Sequence, residues 1–344
     1  MDIQRKGLGS ASVRFQNPVY IIESATVVGK KESEGPLGQW FDETYEDDSL
    51  GCENWEDAEC ELQRKAVSLL LHKKDMSEKK IRYILAGDLL GQSIASSFGL
   101  KDFEIPFWGL YSACSTCGEA LSFGSILIDG GYAANVVCVT SSHFASAEKE
   151  FRYPLEYGSQ RPKCSTWTVT GSGAYLLSGI KPDNDDAIAI TGITTGRVVD
   201  YGIKDSMNMG ACMAPAAAMT IENHFRDFET CPGDYDQIIT GDLGAVGSSV
   251  LIDLLAERGY DIAGRHMDCG MEIFNEELQD TNAGGSGCGC AATVLGALVL
   301  RKLRFGKMRK VLFVPTGALL SKVSFNEGKT IPGIAHAVMI EKLN

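Results

Sequence analysis

The chain has 344 residues, of which 44% are apolar and 22% charged, as in a globular protein larger than one domain of about 150 residues. Its 32 basic and 45 acidic side chains give a net charge of −13, which argues against nucleic-acid binding and against direct electrostatic docking on an anionic membrane. No run of about 18 apolar residues occurs and the first residues lack an apolar segment, so we expect neither a membrane span nor a secretory signal. Eleven widely scattered cysteines favour free thiols in a reducing compartment.

Strand and helix patterns alternate along the first part of the chain. Apolar residues at helical spacing predict a helix over residues 53–71, and a β-branched run then ends at Asp88. A further apolar run leads through Cys114 into an apolar helix at residues 115–128, which we expect to be buried between sheets. After the next strand, residues 143–164 form a long excursion rich in aromatic side chains.

The second part of the chain repeats the order of the first. The Gly-Asp-Leu that ends an apolar run at Asp88 recurs at Asp242, and the helix, turn and valine-rich strand of residues 124–142 recur at 296–318. Strands that alternate with helices predict an α/β protein with parallel sheets covered on both faces. We therefore expect two similar halves related by a pseudo-twofold axis, residues 1–180, with the Cys114 junction and the excursion, and residues 181–344.

Cys114 follows a strand and begins the next helix, at the end of a sheet where ligands bind in α/β proteins. Backbone N–H groups and the helix dipole at that position would stabilise a thiolate and lower the pKa of Cys114, as a nucleophile requires. Three alternatives stay open: a redox pair with Cys117, a metal cluster completed by Cys288 and Cys290, and a buried thiol with no chemical role.

Cysteine chemistry needs a base, and the chain has five histidines. His336 in the last strand and His143 after a central strand are the first and second candidates, whereas Asp88 and Asp242 are expected to cap the helices that follow them. The glycine-rich loop that contains Gly285 and Ser286 could present backbone N–H groups to an anion, or could simply let the two halves pack closely.

Two α/β halves around a cysteine junction resemble the thiolase superfamily, which includes the condensing ketoacyl synthases. Particular stretches are more specific and resemble the stage V sporulation protein AD family of spore-forming bacteria. They cover nearly the whole chain in order, and include "GPLGQWFDETYED" (35–47), "ACSTCGEAL" (113–121), "TSSHFASAEKEFRYPLEYGSQRP" (140–162), "GRVVDYGIKDSMNMGACMAPAAA" (196–218) and "AGGSGCGCAA" (283–292).

The resemblance implies a thiolase-like fold of two mixed-sheet halves in αβαβα layers. It also implies a role in the developing and germinating spore, as the subunit that binds dipicolinic acid, pyridine-2,6-dicarboxylate, beside membrane-embedded subunits of one channel system. The expected location is peripheral, on the cytoplasmic face of the inner spore membrane, in the forespore and spore core. No cofactor and no protein-bound metal is expected, and the superfamily likeness raises the expectation of a homodimer.

The chain departs from condensing enzymes at two positions of this pattern. Those enzymes carry a histidine after the strand that here ends in Asp242 and Gly244, and an Asn or His in the loop that here reads "GGSGCGC". Without these partners a thiolate would lack acid–base and oxyanion groups. The preferred hypothesis is therefore a pocket kept for binding. The alternative is an active acyltransferase in which Cys114 is the nucleophile, and a third hypothesis is a scaffold that binds no ligand.

The residues expected at the ligand follow from this reading. Cys114 and His336 are the vestigial catalytic candidates, a helix N-terminus and backbone N–H groups would attract the carboxylates, an arginine would grip one of them, and an aromatic ring would stack on the pyridine. The expected set is Cys114, His336, His143, Tyr111, Arg197, Ser286 and Gly285.

Overall fold

The computed structural model describes residues 6–152, 161–182 and 187–343. Its sixteen strands, numbered along the chain, are β1 Gly7–Leu8, β2 Ser12–Val28, β3 Glu43–Thr44, β4 Tyr83–Gly87, β5 Phe107–Gly109, β6 Asn135–Ser142, β7 Trp167–Thr168, β8 Gly171–Ser178, β9 Ile188–Thr194, β10 Gln237–Thr240, β11 His266–Asp268, β12 Gly285–Ser286, β13 Lys310–Val314, β14 Thr316–Ala318, β15 Gly333–Ala335 and β16 Ala337–Lys342.

Twelve α-helices connect these strands in the described residues. They are α1 Lys30–Ser33, α2 Trp55–Lys74, α3 Ile94–Leu100, α4 Thr116–Asp129, α5 Phe144–Phe151, α6 Met209–Phe228, α7 Gly244–Glu257, α8 Cys269–Ile273, α9 Glu276–Gln279, α10 Cys288–Val294, α11 Leu300–Arg304 and α12 Lys322–Asn326. A π-helical turn, Leu295–Val299, joins α10 to α11.

The long helix α2 shows how local sequence sets the element bounds. Asn54 caps its N-terminus, because the side-chain oxygen accepts a hydrogen bond from the Asp57 amide at 2.9 Å. Asp75 ends the helix in the left-handed conformation, with φ of 51°. Leu62 and Leu70 lie on the stripe that is fully buried against the sheet. The helix predicted over 53–71 is thus confirmed, and it extends one turn further.

The main strands of the two halves lie in the same order. Numbered within its half, each set reads 3-2-4-5-1 across the sheet: β5, β4, β6, β8, β2 in the first half and β11, β10, β13, β16, β9 in the second. Strands 2, 3 and 4 are parallel in both sets, whereas strands 5 and 1 are antiparallel to their neighbours. The pseudo-twofold relation and the mixed sheets are confirmed.

The purely parallel sheets predicted from the alternation of strands and helices are wrong. Strands β8 and β16 run antiparallel to β6 and β13, the strands before them in the sheet. A parallel arrangement would need a crossover connection, and the described residues between these strands contain no long helix packed along the sheet. Since β2 and β9 also pair antiparallel, both halves share one twelve-stranded sheet. The boundary between residues 180 and 181 stays a prediction.

Helices pack on both faces of each half of this sheet, and with the two halves they form five layers. Helices α2 and α3 cover the outer face of the first half, and α6 with α7 covers that of the second. Between the halves lie α4 and α10, and α4 contacts both β6 of the first half and β16 of the second. The apolar composition of α4 follows from this position, and Leu121 at its centre is fully buried. The αβαβα arrangement is confirmed.

The excursion of residues 143–164 begins with α5, which His143 caps. Residues 153–160 of the excursion lie outside the described residues. None of the helices in the described parts of the chain is long and apolar enough to cross a membrane.

Candidate functional site

Cys114 lies at a sharp turn between β5 and α4. Ala113 has a φ of 48°, in the left-handed region that costs a residue with a Cβ atom of order 1–3 kcal/mol. The turn is held from inside, because Thr116 Oγ1 accepts from the Ser112 amide at 3.0 Å and donates to the Ala113 carbonyl at 2.6 Å. Helix α4 begins at Thr116, so Cys114 precedes the helix instead of lying in its first turn as predicted.

The turn is also anchored to the second half of the molecule. Ser115 Oγ donates to the Pro315 carbonyl at 2.7 Å and accepts from the His336 amide at 3.1 Å. Pro315 links β13 to β14, so a strand end of the second half supports the turn of the first. The Cys114 side chain is therefore fixed where the two halves meet.

A cavity of about 420 Å³ opens beside Cys114. Tyr111 and Ser286, both predicted at the site, line it together with Cys114. Its other described walls are mostly apolar, and are formed by Leu89, Leu90, Ala113, Phe151, Met209, Ala318 and Leu320. Its remaining polar side chains are Gln92, Ser93, Glu150 and Ser321. No lysine, arginine or histidine lines this cavity in the described ranges.

Asp242 lies behind Cys114, although the sequence predicted for it only a helix cap. Its Oδ2 accepts from the Gly287 amide at 2.9 Å and its Oδ1 accepts from the Thr316 hydroxyl at 2.8 Å, and the Cys114 thiol lies close enough to affect the pKa of the carboxyl. Burial raises the pKa of Asp242 from 3.8 to about 7. The cap of α7 comes instead from Asp268 on β11, which accepts from the amides of Leu243 and Gly244.

The pKa of Cys114 is raised well above its ordinary value, which contradicts the lowering predicted from the helix dipole. Burial is the largest cause, followed by the negative potential of Asp242 and by the neighbouring Cys288. The nearby Gly287 amide, which donates to Asp242, also favours the thiolate but does not reverse this balance. A neutral thiol beside the Asp242 carboxyl is therefore the state of Cys114 at neutral pH.

His336 lies beneath the turn and outside the cavity wall. Its Nδ1 accepts from the Gly196 amide at 3.3 Å and its Nε2 is 3.2 Å from Ser112 Oγ, so the ring contacts the turn two residues before Cys114. Burial lowers the pKa of His336 to about 4, which keeps the ring neutral. The structure thus joins His336 to the turn without placing it against the Cys114 thiol.

The structure places the other predicted residues away from the cavity. His143 is fully buried, accepts from the Ala145 amide at 3.1 Å and bonds the Asp48 carbonyl at 2.8 Å, so it serves as the α5 cap. Arg197 is exposed, with its guanidinium Nε 2.7 Å from the Met219 sulfur. Gly285 is buried in the β12–β7 pair, where a Cβ atom would lie 2.7 Å from Ile273.

Packing in the structure bears on two of the three alternatives for the cysteines, the redox pair and the metal cluster. Cys117 belongs to the main core between the halves, whereas Cys114 and Cys288 belong to a small cluster at the cavity. Cys290 donates to the Gly241 carbonyl at 3.4 Å. Within the described residues no three His, Cys, Asp or Glu side chains are grouped as a metal site would require.

Sequence reasoning missed a buried acidic network that supports the cavity loop. Asp88 accepts from the Leu90 and Ser96 amides, both at 2.9 Å, and so fixes the loop whose residues Leu89–Ser93 line the cavity. Gln63 links Ser96 to Ser141, and Ser141 donates to Glu59 at 2.9 Å. Burial and the nearby Asp88 raise the pKa of Glu59 to about 8. The capping role predicted for Asp88 agrees with these contacts.

A duplicated α/β unit with a cysteine turn at the junction of its halves defines the chain as thiolase-like. Solved structures with this fold include the 3-oxoacyl-[acyl-carrier-protein] synthase III of Aquifex aeolicus VF5, with a TM-score of 0.56 and 14% identity over 94% of this chain and 99% of that chain. Another is a variant of OleA from Xanthomonas campestris, with a TM-score of 0.59 and 12% identity over 95% of this chain and 99% of that chain. At such identities the likeness shows the fold alone.

The sequence is more specific than the fold. Residues 9–341 match the family Stage V sporulation protein AD. The chain is also 44% identical over 328 residues to the Stage V sporulation protein AD of Bacillus subtilis (strain 168), covering 95% of this chain and 96% of that protein. The chain therefore belongs to the Stage V sporulation protein AD family.

Proposed function

We propose that this protein binds dipicolinic acid in the spore, and that its thiolase-like pocket serves binding instead of acyl transfer. The observation that carries the proposal is the partner of Cys114: a buried carboxyl lies behind the thiol, and no histidine lines the cavity in the described residues. Membership of a sporulation family supports the biological setting.

The acid–base state of the pair opposes nucleophilic catalysis. Asp242, with a pKa of about 7, loses its proton before Cys114, whose pKa lies well above the ordinary thiol value. Transfer of the thiol proton to Asp242 is therefore uphill, and His336 is held by Ser112 and Gly196. A condensing reaction needs a thiolate as its nucleophile, and this arrangement holds Cys114 as a neutral thiol.

The cavity has features that suit a flat aromatic dicarboxylate. Tyr111 and Phe151 provide ring faces for stacking, and the Ser93, Ser286 and Ser321 hydroxyls can donate to carboxylate oxygens. These donors are neutral and the wall also carries the acidic Glu150, so hydrogen bonds and ring stacking would carry recognition where an arginine was expected from the sequence. A site of this kind holds its ligand without transforming it.

Calorimetric titration with pyridine-2,6-dicarboxylate tests the proposal, with benzoate as the control ligand. We expect saturable binding of one ligand per chain, and a loss of roughly tenfold for Tyr111→Leu when stacking is removed. Tyr132→Leu is the matched control, because Tyr132 is an exposed tyrosine that does not line this cavity. Absence of binding, or equal affinity for benzoate, would contradict the proposal.

An active acyltransferase is the second candidate, and the Cys114 turn favours it. Incubation with acyl-coenzyme A followed by intact-mass measurement would reveal a thioester adduct that Cys114→Ala abolishes. Such an adduct with turnover would replace the binding proposal. If neither ligand binding nor acylation occurs, a scaffold role is left.

We also propose that the protein works at the cytoplasmic face of the inner spore membrane, beside membrane-embedded subunits of the same system. Membership of a sporulation family supports a location in the spore. Co-purification of the full chain with detergent-solubilised spore inner membranes, compared with outer layers of the spore, provides the test. Recovery in the soluble fraction alone would contradict it.

A homodimer through strand β5 completes the proposal. Strand β5 lies at the sheet edge, pairs with β4 alone among the described strands, and exposes 41% of Phe107 and 48% of Trp108. An exposed apolar edge strand favours pairing with a second copy. Light scattering should give twice the chain mass, and Trp108→Lys should give monomers, whereas Leu278→Lys should not. A monomeric wild-type protein would refute this step.

A further inference from the structure

One surface of this acidic protein carries a dense group of cations. Residues 301–310 contain six lysines and arginines and no acidic residue, although the whole chain has a charge of −13. The segment comprises the end of α11, the turn that follows it and the first residue of β13. We call it the Phe305 surface, and define it by Arg301, Lys302, Arg304, Phe305, Lys307 and Arg309.

An exposed aromatic ring lies at the tip of this surface. Phe305 is 73% exposed, and Gly306 next to it has a φ of 67°, which makes the turn tight. The turn is ordered, because the amides of Lys307 and Met308 both donate to the Lys302 carbonyl. Arg304 and Lys307 flank the ring in sequence, so a fixed turn presents an apolar tip between cations.

Several of these cations are not neutralised by the protein. Lys302, Lys307 and Arg309 form no ion pair within 4.0 Å among the described residues. A nearby acid, Asp236, accepts from the backbone amides of Arg309 and Lys310. Arg304 reaches Glu23 only at 3.8 Å. The side-chain charges of Lys302 and Lys307 are therefore available to a partner, and that of Arg309 is partly shared with the Asp236 carboxylate.

We propose that the Phe305 surface docks directly on an anionic lipid membrane. Lysines and arginines next to a membrane attract anionic headgroups, and an exposed Phe between them can enter the boundary of the acyl chains. A nucleic-acid duplex is also anionic, but it offers no apolar layer into which a single protruding Phe ring could insert. The inference does not depend on what the cavity binds.

The position of the surface leaves the cavity accessible. Strand β13 begins at Lys310, next to the Phe305 surface, and ends at Val314, two residues before Thr316, which donates to Asp242 behind Cys114. A five-residue strand spans roughly 17 Å, so the surface and the site lie at opposite ends of the same strand. Docking would thus direct the cavity away from the lipid.

Vesicle flotation of the full chain tests the inference. We expect binding to phosphatidylglycerol–phosphatidylcholine vesicles at about 0.1 M salt, weaker binding at about 0.5 M salt and none to phosphatidylcholine alone. Each cation near the surface contributes roughly fivefold in affinity, so Lys302→Gln, Lys307→Gln and Arg309→Gln together should weaken binding about a hundredfold. Phe305→Ser should also weaken binding without changing the charge.

The matched control removes the same charge elsewhere. Lys79→Gln, Lys80→Gln and Arg82→Gln change three exposed cations on another segment, and should leave vesicle binding unchanged. Circular dichroism shows whether each variant folds. The inference fails if wild-type protein does not bind anionic vesicles, binds neutral ones equally, or loses as much affinity in the control as in the Phe305-surface variant. Capture by an acidic protein or a nucleic acid without vesicle binding would also overturn it.

Discussion

The replacement Asp242→Asn tests the protonation state of the site directly. In the folded protein the pKa of Asp242 is raised from 3.8 to about 7 because its carboxyl is buried. Between these pH values the unfolded chain has lost the proton that the folded chain retains, so each rise in pH favours unfolding. The contribution of Asp242 to stability is complete below pH 3.8 and is lost as pH rises to about 7.

The full shift corresponds to roughly 4 kcal/mol, of which about 3 kcal/mol falls between about pH 4.5 and 8. Asparagine has the shape of the neutral acid and does not titrate. Its oxygen can accept from the Gly287 amide while its NH₂ group donates to the Thr316 hydroxyl. We therefore expect the free energy of unfolding of the variant, relative to wild type, to increase by about 3 kcal/mol over this pH range.

Urea unfolding followed by tryptophan fluorescence at about pH 4.5, 5.5, 6.5, 7.5 and 8 measures this difference. Asp236→Asn is the control. Backbone amides of Arg309 and Lys310 lower the pKa of Asp236, so its titration lies below this range and its difference from wild type should stay constant. A constant or falling difference for Asp242→Asn would show an ionised carboxylate throughout, and would refute the raised pKa of Asp242.

Three further outcomes are expected. Iodoacetamide should modify the exposed Cys231 well before Cys114. Asp242→Asn should speed the modification of Cys114 several-fold, as measured by peptide mass mapping. Equal rates at Cys114 in the variant and the wild type would contradict the effect of Asp242 on the pKa of Cys114. Burial lowers the pKa of His224 to about 3, so the contribution of His224 to stability is present above pH 6.5 and is lost as the pH falls. The free energy of unfolding in urea should therefore depend less on pH below 6.5 in His224→Gln than in the wild type. Gly287→Ala would place a Cβ atom 2.5 Å from Ser142 Oγ at a φ of 103°. Thermal unfolding should therefore show a loss of stability of about 1–3 kcal/mol. The control Gly264→Ala has open space around it, and its stability should stay within about 0.5 kcal/mol of wild type.

The sequence predicted the architecture because the repeat and the periodicity are both encoded locally. Asp88 and Asp242 follow the second strand of their halves, β4 and β10, as their matching Gly-Asp-Leu motifs indicated. Cys114 and Ser286 each stand two residues before the first residue of a central helix, α4 and α10. Repeated motifs locate equivalent elements even where the side chains have diverged.

The chemistry of the site was less accessible to sequence reasoning, since distant segments decide it. The prediction of a thiolate at Cys114 used the nearby helix, whereas burial under Leu89, Ala147 and Cys288 and the potential of Asp242 outweigh that effect. The cap predicted for Asp242 also depends on a distant segment. Asp268 accepts from the amides at the start of α7, and the Asp242 carboxyl lies behind Cys114 instead of capping that helix.

The histidines illustrate the same limit. His143 and His336 both follow or interrupt strands, and nothing in their neighbouring residues distinguishes a base from a structural ring. In the structure, His143 caps α5, and His336 fills the break between β15 and β16, where it contacts Ser112 of the cysteine turn. Only the three-dimensional contacts assign these roles.

One carboxyl therefore links the proton balance of the site to the proposed binding of an anion. The cavity has no cation on its described walls and already carries the acidic Glu150, so a further charge behind its floor matters for any dicarboxylate that enters. Below pH 7 Asp242 is mostly protonated and the floor is neutral, whereas above pH 7 a negative charge lies beneath Cys114 in a poorly solvated place. A negative charge at that position opposes the proposed binding of an anion, so affinity for a dicarboxylate should be lower above pH 7 than below it.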